Sequence, residues 1–152
     1  MDDKAEFLES LVARMKAADD ALHSGDAGPR RALWSTEDPV TVFGAAMSAT
    51  GPVETQATFD WVASRFTDFE SGEWEILSAD VSGDLAYVVA IEHTTCSIAG
   101  APTESYSLRA TTILRRENGN WRAFHRHADP VEGSVAVRDH LLGRAVENTA
   151  AQ

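Results

Sequence analysis

The chain has 152 residues, 43% of them hydrophobic and 24% charged, which is the length and balance of one ordinary globular domain. No apolar run approaches the roughly 18 residues of a membrane span. The net charge of −11 sets up a field that repels phosphate backbones and argues against nucleic-acid partners. The acidic start "MDDKAEFLES" has no signal-peptide stretch, and the single Cys96 permits no internal disulfide. Both features predict a cytoplasmic protein.

Residues 3–24 are predicted to form a helix, because Phe7, Leu8, Leu11, Val12, Met15, Ala18 and Leu22 make one apolar stripe at helical spacing. Asp2 or Asp3 can cap its start, and "SGDAGP" ends it. A short helix or loop follows from residue 30. Pro39 then interrupts the chain, and "VTVF" is a short strand candidate. A second helix is expected over 52–66, with Pro52 at its first position and Glu54 at its third, where a carboxylate meets free amides. Its apolar face is Phe59, Val62, Ala63 and Phe66, with Trp61 beside it.

From residue 73 the period changes to two. "EWEILSADV", "LAYVVAIEHTTCSI", "ESYSLRATTILRR" and "NWRAFHRHAD" read as strands joined by "SGD", "AGAP" and "ENG". Three successive hairpins imply an antiparallel meander. Ser134 can cap a last helix running to about 147, ahead of a frayed tail. Residues 1–133 thus form one α+β domain, and 134–152 add its C-terminal helix and tail.

The last hairpin concentrates the chemistry. Five arginines, 109, 115, 116, 122 and 126, fall between 109 and 126 against one acid, Glu117. His125 and His127 share a strand face with Trp121 and Asp129, while Arg126 shares the other with Phe124 and Ala128. A loop of two or four residues sets Thr111 opposite Arg126. A three-residue loop with a bulge at Gly119 sets Arg109 beside His127, and the sequence permits both. A metal centre needs three or four ligands. His125 and His127 supply two, with His93 and Asp129 as distant candidates, so no metal is expected.

"RALWSTEDPVTVFG", "GDLAYVVAIEH" and "LRATTILRRENGNWRAFHRHAD" resemble SnoaL-like members of the nuclear transport factor 2-like superfamily, over about residues 3–130. These proteins are also described as ketosteroid isomerase-like or cystatin-like. The resemblance implies an α+β cone, a curved antiparallel sheet wrapped around N-terminal helices. It implies no cofactor and a homodimer through the outer sheet face. The functions in this superfold range from isomerases, cyclases and dehydratases to non-catalytic binding or dimerisation modules.

The ketosteroid isomerase residues are not retained. Counting back from Gly51, the base position falls near Val42 and Phe43, not Asp38; helix 1 has no tyrosine; and Thr111 or Thr112 is nearest to the oxyanion acid. The resemblance favours the first hairpin register. It turns Glu92, Arg109, Thr111, Phe124 and Arg126 into the pocket and sets Trp34 at its mouth. Trp121, His125 and His127 then lie on the outer, partner-facing side. The expected ligand is a small polar or anionic organic molecule, such as a carboxylate. Glu92 would orient an arginine or act as a base, or the charged groups would form a structural ion pair.

Overall fold

The structure, a computed structural model, describes residues 3–131 and 141–143. Its order is α1 (Asp3–His23), α2 (Gly28–Leu33), β1 (Thr41–Phe43), β2 (Ser48–Thr50), α3 (Pro52–Ser64), β3 (Phe66–Ser82), β4 (Leu85–Ile98), β5 (Glu104–Glu117) and β6 (Asn120–Pro130). The six strands form one curved sheet in the order β2-β1-β6-β5-β4-β3. All pairs are antiparallel except β1 on β6. The helices cover one face, and the fold is the α+β cone expected. Most of the expected C-terminal helix, 134–147, lies outside the described residues.

Local chemistry explains most of these elements. α1 buries Leu11, Met15, Ala18 and Leu22, the expected stripe. Its Phe7 ring meets Trp121 of β6 at 5.2 Å. Gly51 takes φ +87° before α3, and the Glu54 carboxylate accepts the Thr50 N–H at 2.9 Å, closing the helix start. Asn118 and Gly119 both adopt positive φ, as a two-residue hairpin turn requires. α3 ends at Ser64, and β3 begins at Phe66, seven residues before the predicted strand. β2, whose three residues Ser-Ala-Thr show no apolar alternation, was not predicted.

Trp34 and Ser35 join the free edge of β6 at Ala123, and β1 continues the same parallel run. Arg115 holds this segment. It donates to Glu117 at 2.5 Å, to Ser35 Oγ at 3.0 Å and to the Glu37 carbonyl at 2.7 Å, and lies over the Phe124 ring. Burial works against the Glu117 charge, but the bonds from Arg115 and Ser35 hold its carboxyl below the ordinary value.

The β5–β6 hairpin carries the decisive irregularity. Near the turn, Arg115 faces Arg122 and Leu114 faces Ala123, as in the two-residue-loop register. Phe124 then has no partner, and Ile113 faces His125. Such a bulge shifts every later pair by one residue. Arg126 therefore lies opposite Thr112, and Arg109 opposite Asp129. Neither register read from the sequence has this geometry.

Candidate functional site

The β4–β5 pairing and the shifted β5–β6 register together decide which side chains face the helices. On β5 the inward set is Tyr106, Leu108, Ala110, Thr112 and Leu114, all buried. On β6 it is Ala123, Arg126 and Ala128. Ala86, Val88 and Ala90 of β4 point inward together with Glu92, which was expected there. Arg109 does not. It is exposed on the outer face, 3.1 Å from Asp129. Thr111 is also on the outer face, beside Ile113 and Tyr87. Both placements correct the sequence reading: Ala110 and Thr112 pair with the inward Ala90 and Val88, so Arg109 and Thr111 point outward, and the bulge at Phe124 lets Arg126 face inward without them.

The other expected site residues divide in the same way. Phe124 is half-buried beneath Arg115 and does not line the inner cavity. Trp34 is fully buried, its ring edge-on to Phe59 at 5.1 Å, and serves the core. Trp121 faces α1, because the bulge separates its parity from that of the histidines. His125 and His127 lie on the outer face, each edge-on to Phe43, and Thr41 Oγ1 bonds His125 Nδ1 at 2.8 Å. Burial, then His127, lowers the His125 pKa. His93 is two strands away, bonded to Ser107 at 2.6 Å.

Between α1, α2, α3 and the inner face lies a cavity. About 80 Å³ of it is open to the centre of a water molecule, against roughly 10–15 Å³ for one water. That is the space of several water molecules. Its polar lining is Asp19, His23, Arg30, Thr58, Tyr106 and Arg126. Leu22, Val42, Phe59, Val62, Phe66, Leu108, Ala128 and Leu141 supply apolar walls, and the 44–47 loop adds Gly44, Ala45, Ala46 and Met47.

Two ion pairs are buried at this site. The Arg126 guanidinium donates from Nη1 and Nη2 to the two Glu92 oxygens at 2.8 and 2.7 Å. Arg30 Nη2 donates to Asp19 Oδ1 at 2.7 Å, with the guanidinium over the Phe59 ring. Burial opposes the Arg126 charge, but Glu92 overrides it and raises the pKa. Burial, then the charge of Arg126, lowers Arg30, while Asp19 and Glu92 pull the other way. A guanidinium stays protonated through such a change. Burial also disfavours the Asp19 carboxylate, yet His23, Arg30 and Arg126 together hold its pKa below the ordinary value.

The second constellation is Asp19, His23 and Tyr106. His23 Nδ1 lies 2.8 Å from the Asp19 backbone carbonyl and 3.5 Å from its Oδ2. A carbonyl only accepts, so Nδ1 carries the hydrogen. His23 Nε2 is in close contact with the Tyr106 hydroxyl. In the neutral imidazole, Nε2 is therefore the acceptor and the phenol donates to it. Burial, reinforced by Cys96 and Asp19, raises the Tyr106 pKa well above its ordinary value, so the phenol keeps its proton. Burial likewise pushes the Cys96 thiol up to about 12, making it a poor nucleophile. Asp19 Oδ2 and Trp74 Nε1 are both buried, and the Trp74 N–H, after His23, Arg30 and Arg126, also favours the Asp19 carboxylate.

Sequence reasoning missed Asp19, His23, Arg30 and Tyr106. Two had a signal. Asp19 and His23 continue the α1 stripe, four residues apart after Met15, so polar groups occupy positions that must face the core. Tyr106 begins the most apolar alternating set of β5. Arg30 had no local signal.

A cone of helices and curved sheet around a polar-lined cavity defines a class of small α+β proteins built around an interior pocket. The particular family follows from the sequence match: the SnoaL-like domain model covers residues 11–131, and the chain belongs to that family. Solved structures agree on the fold. A protein from Streptomyces avermitilis described as a dehydratase of the NTF2-like family is 21% identical, with a TM-score of 0.68 over 84% of this chain and 97% of its own. A ketosteroid isomerase-like protein from Erwinia carotovora atroseptica is 18% identical, with a TM-score of 0.65 over 79% and 92%. A protein from Thiobacillus denitrificans described as a calcium/calmodulin-dependent protein kinase II association domain is 20% identical, with a TM-score of 0.66 over 79% and 94%. No match is found among curated proteins. None of the described helices is long and apolar enough to cross a membrane.

Proposed function

We propose that this chain binds a small polar organic molecule in the cavity between its helices and its sheet. The observation that carries the reading is the juxtaposition of Asp19, His23, Arg30, Tyr106 and Arg126 on one apolar-walled space. Few convergent polar groups in an apolar concavity are the usual form of a ligand site. A library of compact alcohols, ketones and acids, screened by thermal shift, tests it. A ligand at about 100 times its Kd stabilises the native state by about 2.7 kcal/mol, about 5–10 °C for a domain of this size. Ala46→Trp, which places an indole in the cavity from the 44–47 loop, should remove most of that shift. Binding unchanged in the variant, or no hit with wild type, contradicts the reading.

Catalysis without a cofactor, of the isomerase, cyclase or dehydratase kind, is the second reading, favoured by the Tyr106–His23–Asp19 arrangement. As the Tyr106 oxygen takes up a proton, its own can pass to His23 Nε2, whose Nδ1 lies 3.5 Å from the Asp19 carboxylate. The S. avermitilis relative, described as a dehydratase, supports the same class.

The outer face supports a homodimer as part of the proposal. Phe43, Leu85 and Tyr87 are exposed on that face, near His125 and Ile113. Light scattering should give twice the chain mass for wild type and a monomer for Leu85→Glu/Tyr87→Glu; a wild-type monomer refutes it. The lone buried Cys96 supports a reducing, cytoplasmic setting within the same proposal.

A further inference from the structure

The two buried ion pairs cancel in formal charge, but they do not present that charge equally to the cavity. Arg30 and Arg126 line it, whereas Glu92 does not, and both Glu92 oxygens are taken by the Arg126 fork. Asp19 borders the cavity, but its Oδ1 is taken by Arg30 and its Oδ2 is sealed beside the Trp74 N–H. The carboxylate oxygens thus sit behind the guanidinium groups. A group entering the cavity meets the cations first, at low dielectric.

Arg30 has donors to spare. A guanidinium carries five N–H groups, and among the described residues one bond, from Nη2 to Asp19, is all that Arg30 makes. The sealed side-chain atoms without a partner there are Asp19 Oδ2, Asp20 Oδ1, Thr55 Oγ1 and Trp74 Nε1. Nε and Nη1 of Arg30 are therefore unpartnered yet open, on a side chain only 8% exposed that lines the cavity. The same holds for Arg126 Nε and for the Thr58 hydroxyl. Arg30 lies over the ring of Phe59, the residue next to Thr58, so both belong to one wall. Unspent N–H and O–H groups on a buried wall call for acceptor oxygens. Charge selects among acceptors. Burial, then the Arg126 charge, disfavours the Arg30 cation, and an anion reaching both arginines offsets that repulsion.

From this arrangement we infer that the ligand carries a carboxylate on a compact apolar body, and that Arg30, with the Thr58 hydroxyl, is its anchor. The arginines read from the sequence do not fill that role, because Arg109 is on the outer face and the Arg126 fork is occupied. The inference rests on the pocket reading above and narrows it.

Isobutyrate, isobutyramide and isobutanol share one carbon skeleton and test it, titrated by NMR into the intact protein at neutral pH. Isobutyrate should bind about tenfold or more tighter than either neutral probe. Arg30→Met, which removes the charge and keeps an aliphatic stem, should weaken isobutyrate by about the same factor and leave isobutanol nearly unchanged. Arg109→Ala should bind isobutyrate like wild type; a loss there would move the site to the exposed arginines and overturn the inference. If Arg30→Met does not fold, two measurements decide. Thr58→Val should weaken isobutyrate about three- to tenfold, and the wild-type Arg30 guanidinium resonances should shift with isobutyrate and not with isobutanol. Neutral probes binding as tightly as isobutyrate, or isobutyrate indifferent to Arg30 and Thr58, overturn the ligand class and its anchor and leave the pocket reading intact. The ligand class falls in the same way if no probe binds while library hits still depend on an open cavity. If neither probes nor library bind, both readings fall.

Discussion

Glu92→Ala should lower the stability of the fold by about 3–5 kcal/mol, because it strands the buried Arg126 guanidinium without its bidentate partner. For a domain of this size that is a fall of roughly 6–20 °C in Tm. Replacing both members, as Glu92→Met/Arg126→Met, should recover most of the loss, since hydrophobic groups of similar volume avoid the desolvation of two charges. Arg109→Ala, which breaks an exposed pair with Asp129, should cost less than about 1 kcal/mol. Urea denaturation of the four proteins checks both the energetics and the assignment of faces. A Glu92→Ala midpoint equal to that of Arg109→Ala would contradict the burial of the pair. Asp19 adds a pH signature of defined sign. Its carboxyl is held below the ordinary value by His23, Arg30 and Arg126 against the opposing effect of burial. Its contribution is present at neutral pH and is lost as pH falls below about 4, through the lowered folded value.

Tyr106→Phe should separate catalysis from binding. The change removes one oxygen and leaves the ring in place, so the stability loss is that of a buried His23 Nε2 without its partner, about 1–3 kcal/mol. With a ligand that wild type converts, turnover should fall by roughly 10²–10⁴, the usual contribution of a positioned acid–base group. Binding should weaken by far less, so kcat drops more than affinity. Unchanged turnover in the folded variant rules out the proton path through Tyr106 and His23. A protein that binds its ligand and never converts it leaves the binding reading alone. Long-range proton–nitrogen NMR gives an independent check, since His23 should carry its hydrogen on Nδ1 in the neutral state.

The chemistry of these two sites was written unevenly along the chain. Glu92 and Arg126 were readable as candidates because the family resemblance turned their strand faces toward the pocket. Asp19 and His23 were hidden in plain view. A stripe of Leu11, Met15 and Leu22 at helical spacing invites the eye to skip the polar residues between, although they share its face. Arg30 follows a glycine and a proline on a six-residue helix, where no periodicity exists to place it. The net-positive pocket expected from Glu92, Arg109 and Arg126 becomes charge-balanced once Arg30 and Asp19 replace Arg109.

The sequence by itself determined the class of fold, the two long helices, the meander and a turn around Asn118–Gly119 whose length it left open. Each depends on local periodicity or on the backbone preferences of one or two residues. Tertiary structure alone decided which face of β6 looks inward. Ala123, beside the incoming Trp34, and Arg126, reaching for Glu92, both have to face the helices, yet they lie three residues apart. A regular strand alternates every two residues and cannot satisfy both. One extra residue, Phe124, resolves the conflict, and a one-residue slip moves every side chain beyond it to the other face. That slip turns Arg126 inward among Asp19, His23, Arg30 and Tyr106, while the regular pairing of Ala110 with Ala90 and Thr112 with Val88 keeps Arg109 and Thr111 on the outer face.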